Sequence, residues 1–142
     1  SLYQTWLTQY KERHTDSSAS LTTRKHETEM AQENFKVHQK GLLEYEKLGL
    51  TGRVVELDGK IAGYTFGAPL SLETFYIIFE ITDLRNKGIS QYLFREFCRE
   101  LEPYQTINAG GDSGLDSLER VKESYHPVKK HPVYQISTAS LP

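Results

Sequence analysis

Two stretches of the chain set chemically useful residues at regular spacing. In the first, the apolar run Phe75 to Ile81 leads into Arg85-Asn86-Lys87-Gly88-Ile89-Ser90 and then into an amphipathic pattern. A strand that turns through a glycine into a helix presents unpaired backbone N–H groups and the positive end of the helix dipole, so this turn suits an anion such as pyrophosphate. Arg85 and Lys87 add two cations able to make charge-assisted bonds. In the second stretch, Leu118, Lys122 and Tyr125 recur at i, i+4 and i+7, so Lys122 shares a helical face with apolar neighbours. Either its stem lies along the surface with the ammonium in water, or the charge points into a crevice and stabilises an oxyanion or binds a carboxylate or phosphate. Asp112 and Ser113 stand where a helix beginning near Leu115 needs a cap, so Asp112 is either that cap or a chemical group. Tyr125 is either a packing residue or a phenol lining the crevice.

The elements that must position these residues follow from pattern. Leu2, Tyr3, Trp6, Leu7 and Tyr10 form one stripe of a helix over Leu2 to Arg13, followed by a polar linker, Thr15 to Ser20. From Thr22 to Asn34 the helical pattern is thin, and a better helix is expected from Phe35 to Lys47 with Gly49 as a left-handed C-cap. Arg53 to Leu57 and Lys60 to Phe66, joined by Asp58-Gly59, predict a hairpin with a type I′ turn. The unbroken run Phe75 to Ile81 predicts a third antiparallel strand buried on both faces. Phe94, Phe97, Cys98 and Leu101 make the core stripe of the next helix, which places Cys98 in packing rather than in nucleophilic chemistry. Tyr104 to Asn108 is expected to be a short strand parallel to Phe75 to Ile81, and two such strand ends side by side make a crevice of the kind α/β proteins use for ligands. His126-Pro127 stops the last helix, and Val133 to Ser137 predicts a final strand. His14, His26 and His38 show no metal-ligand spacing and read as solvent-exposed.

A chain of 142 residues with 25% charged residues and a net charge of -2 reads as one globular domain, and it lacks the clustered basic surface of a general nucleic-acid coat. The lone Cys98 excludes an intrachain disulfide and a cysteine zinc cluster, and no run is long enough to cross a bilayer or fits a signal peptide, so a cytoplasmic location is expected. Beginning at Ser1 without a methionine, the chain reads as a fragment, a processed form or a trimmed piece of a protein.

Arg85-x-x-Gly88-x-Ser90 resembles the Arg/Gln-x-x-Gly-x-Gly/Ala acyl-CoA turn of the GNAT N-acetyltransferase superfamily. Asn108, Asp112-x-Gly114, Leu118, Lys122, Tyr125 and Pro127 are similar, in order and spacing, to the signature of a GNAT-like family related to the C-terminal catalytic domain of bacterial phosphatidylglycerol lysyltransferase. Tyr45-Glu46-x-Leu48-Gly49-Leu50, Asp58-Gly59-Lys60 and Phe79-Glu80 extend this resemblance, which runs from about Val37 onward. It implies an α+β fold: a GNAT-like mixed, mostly antiparallel sheet with a central parallel strand pair and helices on both faces. Residues 1–142 would form a single domain, with 1–21 as helix and linker and 22–142 as core, set in a longer protein beside a second GNAT-like module.

The implied activity is transfer of an acyl group from acyl-CoA or aminoacyl-tRNA to an amine or hydroxyl acceptor, a small molecule or a lipid head group, without a metal. In the lysyltransferase relatives and in Fem-type aminoacyltransferases, a Phe-Lys pair on the last helix is similar to Val121-Lys122. The resemblance then implies that Arg85, Asn86, Lys87, Gly88, Ile89 and Ser90 hold the donor and that Asn108 binds substrate. Lys122 would stabilise the oxyanion, Tyr125 would protonate the leaving group, and Asp112 or Glu80 would receive the acceptor's proton or hold its ammonium. The overall charge favours CoA over tRNA. The family has a Glu at Gly110, an Arg at Glu119 and a Lys at Ile81. These departures support an alternative expectation, a catalytically degenerate module serving as a scaffold or ligand-binding half.

Overall fold

The computed structural model describes residues 1–15, 21–112 and 116–134, with side chains at all of them except 13–15, 21–28 and 30–32. Its elements are α1 (Leu2–Thr15), α2 (Leu21–Leu43), β1 (Thr51–Leu57), β2 (Lys60–Pro69), β3 (Thr74–Thr82), α3 (Ile89–Glu100), β4 (Thr106–Asn108) and α4 (Asp116–Glu123). They fall into two compact units, Ser1–Gly110 and Gly111–Pro142.

The first unit holds a four-stranded sheet in the order β1-β2-β3-β4. β1, β2 and β3 pair antiparallel, whereas β3 and β4 run parallel. The hairpin turns at Asp58 (φ 50) and Gly59 (φ 72), two successive positive angles that give the expected type I′ geometry. Gly49 is left-handed (φ 60), and the bonds Gly49 N–H to Glu46 O and Leu50 N–H to Tyr45 O close the turn in the Schellman pattern.

The apolar run of β3 serves two cores because the strand contains a bulge. Phe66 faces Phe79 and Gly67 faces Ile77, so Ile78 has no partner across the pair and the alternation of faces shifts there. Before the bulge, Phe75 and Ile77 pack with Phe97 and Leu101 around α3. After it, Phe79 and Ile81 join Tyr3, Tyr64 and Phe66, with Leu2, Trp6, Leu7 and Phe35 from α1 and α2. Helices therefore cover both faces of the sheet, but β3 buries one face before the bulge and the other after it, and Ile78 is exposed, so the strand is not buried on both faces along its length as its unbroken apolar run predicts.

Several expectations need correction or restriction. α2 begins at Leu21 rather than at Phe35. Its first half has little apolar stripe, but Lys, Glu, Met, Ala and Gln are good helix formers, so propensity carries the helix where the stripe is missing. The fourth strand is shorter than Tyr104 to Asn108: pairing starts at Thr106, and Tyr104 instead packs its ring 5.2 Å from that of Phe75. His38 is buried, not exposed. Of the strand expected at Val133 to Ser137, residues 133–134 carry no strand and the rest lies outside the described residues, as do the linker 16–20 and Ser113. No described helix is long and apolar enough to cross a membrane.

Candidate functional site

The helix start after β3 has the anion-ready form that its sequence predicts. Gly88 is the N-cap of α3 at φ 84, a left-handed angle that only glycine adopts without strain, and no side chain caps the helix. The first bond of the ladder runs from Tyr92 N–H to Gly88 O, so the N–H groups of Ser90 and Gln91 stand ahead of it. α3 stays in place through Ile89, Leu93 and Phe97, all buried against the sheet. Asn86, Lys87 and Gly88 are exposed at the turn.

Arg85, expected to reach for a donor phosphate, has an intramolecular partner in Asp83. Its Nε and Nη2 donate to Asp83 Oδ1 and Oδ2 at 3.1 and 2.7 Å, a two-pronged pair. The Arg85 bonds are the main reason the Asp83 carboxyl is held far below the usual carboxylate range. Asp83 also accepts the Arg85 backbone N–H (3.0 Å) and the Gln9 Nε2 amide (2.9 Å). Sequence reasoning missed Gln9 and Asp83, because their partnership spans 74 positions of chain and leaves no local pattern.

Glu80 and Ser90, drawn from different elements, are brought together. The Ser90 hydroxyl donates to Glu80 Oε1 at 2.7 Å, tying the end of β3 to the first turn of α3. Cys98 lies on the same helix, and burial, with the Glu80 charge adding to it, pushes its thiol up to about 11. That agrees with a packing role. Asn108 shapes its own loop: its Oδ1 accepts the Gly110 N–H at 2.8 Å, with Gly110 at φ 71. A Glu at that position would have to adopt the left-handed angle, so this departure has a backbone reason. Ile81, where the family has a Lys, is buried in the core under α1.

Asp112, Lys122 and Tyr125 belong to the second unit. The Lys122 ammonium donates to Gly111 O at 2.6 Å, tying α4 to the glycine-rich loop before it. Tyr125 lies just beyond the helix, half-buried, its N–H bonded to Lys122 O. Glu119, where the family has an Arg, is exposed on α4. Among the described residues, no group of three or more His, Cys, Asp or Glu side chains could hold a metal ion.

The comparisons with known proteins agree with this architecture. A structure described as a conserved protein of unknown function from Bacteroides thetaiotaomicron VPI-5482 superposes with a TM-score of 0.63 at 28% identity, over 89% of this chain and 41% of that one. The chain thus spans about two fifths of that relative's length. A possible acetyltransferase from Clostridium difficile 630 matches with a TM-score of 0.55 at 15% identity, over 98% and 90% of the two chains. The ribosomal-protein-alanine N-acetyltransferase from Brucella melitensis biovar Abortus 2308 matches with a TM-score of 0.50 at 15% identity, over 63% and 71%. At that identity these two speak for the fold alone, a GNAT-like mixed sheet with helices on both faces. No curated protein matches the sequence. The family described as phosphatidylglycerol lysyltransferase, C-terminal, matches residues 4–137, and the chain belongs to that family.

Proposed function

We propose that this chain is the transfer module of an acyl or aminoacyl transferase, moving an acyl group from acyl-CoA or aminoacyl-tRNA to an amine or hydroxyl acceptor such as a lipid head group. The observation that carries the reading is the start of α3 from a left-handed glycine with no side-chain cap, in a chain of the lysyltransferase C-terminal family. Such a helix start favours a phosphate through its N–H groups and its dipole, and the exposed Lys87 adds a charge. Both donors present phosphates to it.

In this reading residues 1–142 act as one module. The acceptor's nitrogen or oxygen attacks the donor's ester or thioester carbonyl, and the C–O or C–S bond then breaks. Lys122 stabilises the negative oxygen that forms, Tyr125 protonates the departing group, and Asp112 or Glu80 receives the acceptor's proton. Asn108 binds substrate from the loop that it shapes.

A second reading, a module that binds a donor without transferring it, is favoured by the commitment of Arg85 to Asp83 and by the burial of Ile81 where the family has a lysine. Thermal shift with CoA, acetyl-CoA and charged tRNA tests donor binding. A ligand at ~100 times its Kd should add about 2.7 kcal/mol of stability. Transfer assays on wild type and Lys122→Ala test catalysis. The transferase reading expects transfer by wild type and its loss, at an unchanged unfolding midpoint, in the variant. Binding without transfer in wild type selects the second reading, and transfer that survives in Lys122→Ala removes Lys122 from its role.

A further inference from the structure

We propose that Gln9 of α1, acting through Asp83, is a positioning residue that sets the shape of the 83–88 turn, so that the N-terminal helix is a working part of the donor site. This rests on the donor-binding reading of the turn. The geometry is a sequence of anchored amides. Asp83 N–H donates to Ala62 O (2.8 Å), Leu84 N–H to Gln9 Oε1 (2.9 Å), Arg85 N–H to Asp83 Oδ1 (3.0 Å) and Asn86 N–H to Asp83 O (3.1 Å). Four successive N–H groups are thereby held to fixed partners, just before the residues whose amides open α3.

Gln9 is the member that arrives from elsewhere in the chain. Its side-chain amide takes the Leu84 N–H with its oxygen and gives its own N–H to Asp83 Oδ1, so one planar group fixes both a backbone and a carboxylate position. Gln9 and Asp83 are both buried, at 8% and 9% exposure, where a lost hydrogen bond is not replaced by water at full value. Arg85 completes the brace from the outside. Its pair with Asp83 holds the carboxylate in place and cancels a negative charge that would otherwise repel a phosphate beside the turn. Arg85 on this account shapes the turn, and the donor's phosphates fall to the α3 amides and Lys87.

The test is CoA affinity by calorimetry, together with amide hydrogen exchange, in wild type, Gln9→Leu and Trp6→Leu. Gln9→Leu keeps the buried volume and removes both bonds; Gln9→Met serves if it does not fold. Trp6→Leu thins the packing of the same helix without touching residues 83–86. The brace predicts roughly tenfold weaker CoA binding in Gln9→Leu, near-wild-type affinity in Trp6→Leu at a comparable loss of thermal midpoint, and faster exchange at 84–88 only in the Gln9 variant. Unchanged affinity in Gln9→Leu overturns the proposal, and so does an equal loss in Trp6→Leu, which would make α1 merely structural. If wild type binds no CoA, the acyl-CoA form of the donor reading fails, and exchange decides the brace alone: unchanged rates at 84–88 in Gln9→Leu overturn it, and faster rates there support it.

Discussion

His38 shows how far one side chain's environment departs from its local sequence. It sits 7% exposed, with the Tyr3 ring 4.8 Å and the Phe79 ring 4.1 Å away, and Nδ1 shares a hydrogen bond of 2.9 Å with the Tyr64 hydroxyl. Burial lowers its pKa to about 4 and pushes the Tyr3 phenol up to about 12. Between about pH 6.5 and 4 the unfolded chain then binds a proton that the folded chain refuses, so stability falls as pH falls through that window. The full effect is on the order of 3 kcal/mol. Urea midpoints of wild type at pH 7 and pH 4.5 should differ by much of this amount, and His38→Gln, which keeps a partner for Tyr64 and does not titrate, should flatten the difference. An equal slope in the variant would assign the acid sensitivity elsewhere. Asp83 contributes in the same direction at lower pH: its depressed carboxyl supplies stability above the ordinary carboxylate range and loses it only in stronger acid. Gly88 and its turn were legible in the sequence because a helix start is a short-range pattern. His38, Gln9 and Asp83 were not, because each depends on which distant surface its element docks against.

Among the elements, β3 carries the organisation of the first unit. Its bulge opposite Phe66 and Gly67 lets one apolar run feed the core under α3 and then the core under α1 and α2. Gly67 marks this point: a Cβ there would meet the Tyr76 carbonyl oxygen and stand 2.7 Å from Phe75 Cε1. Since a backbone carbonyl cannot yield as a flexible side chain can, Gly67→Ala should cost roughly 2–3 kcal/mol, read as a lower urea midpoint. An unchanged midpoint would mean that the pairing of β2 and β3 is loose at the bulge. The hairpin and α3 were readable because Asp-Gly and an i, i+3, i+4, i+7 stripe have few competing explanations. The start of α2 is not legible, because the first half of the helix lacks an apolar stripe and is carried by propensity alone. The bulge itself left no trace in the apolar run, since a continuous run reads the same with or without a change of face.

At the scale of the whole molecule, membership of the family comes from order and spacing along nearly the full chain, residues 4–137, rather than from any single residue. That is why it was visible in the sequence while the contacts of individual side chains were not. Arg85 matched a motif for phosphate and lies against an aspartate; Asn108 matched a signature and closes a loop. The chain spans only about two fifths of its Bacteroides relative, so donor and acceptor have to be tested on the module in hand. The most direct measurement is an amide-resolved NMR titration with acetyl-CoA. The account predicts that the largest shifts fall on the N–H groups of Lys87 to Gln91, saturate together, and weaken as salt rises, as a phosphate held by a helix start and a lysine requires. Saturating acetyl-CoA that leaves these amides unmoved, or shifts confined to other residues, would contradict it.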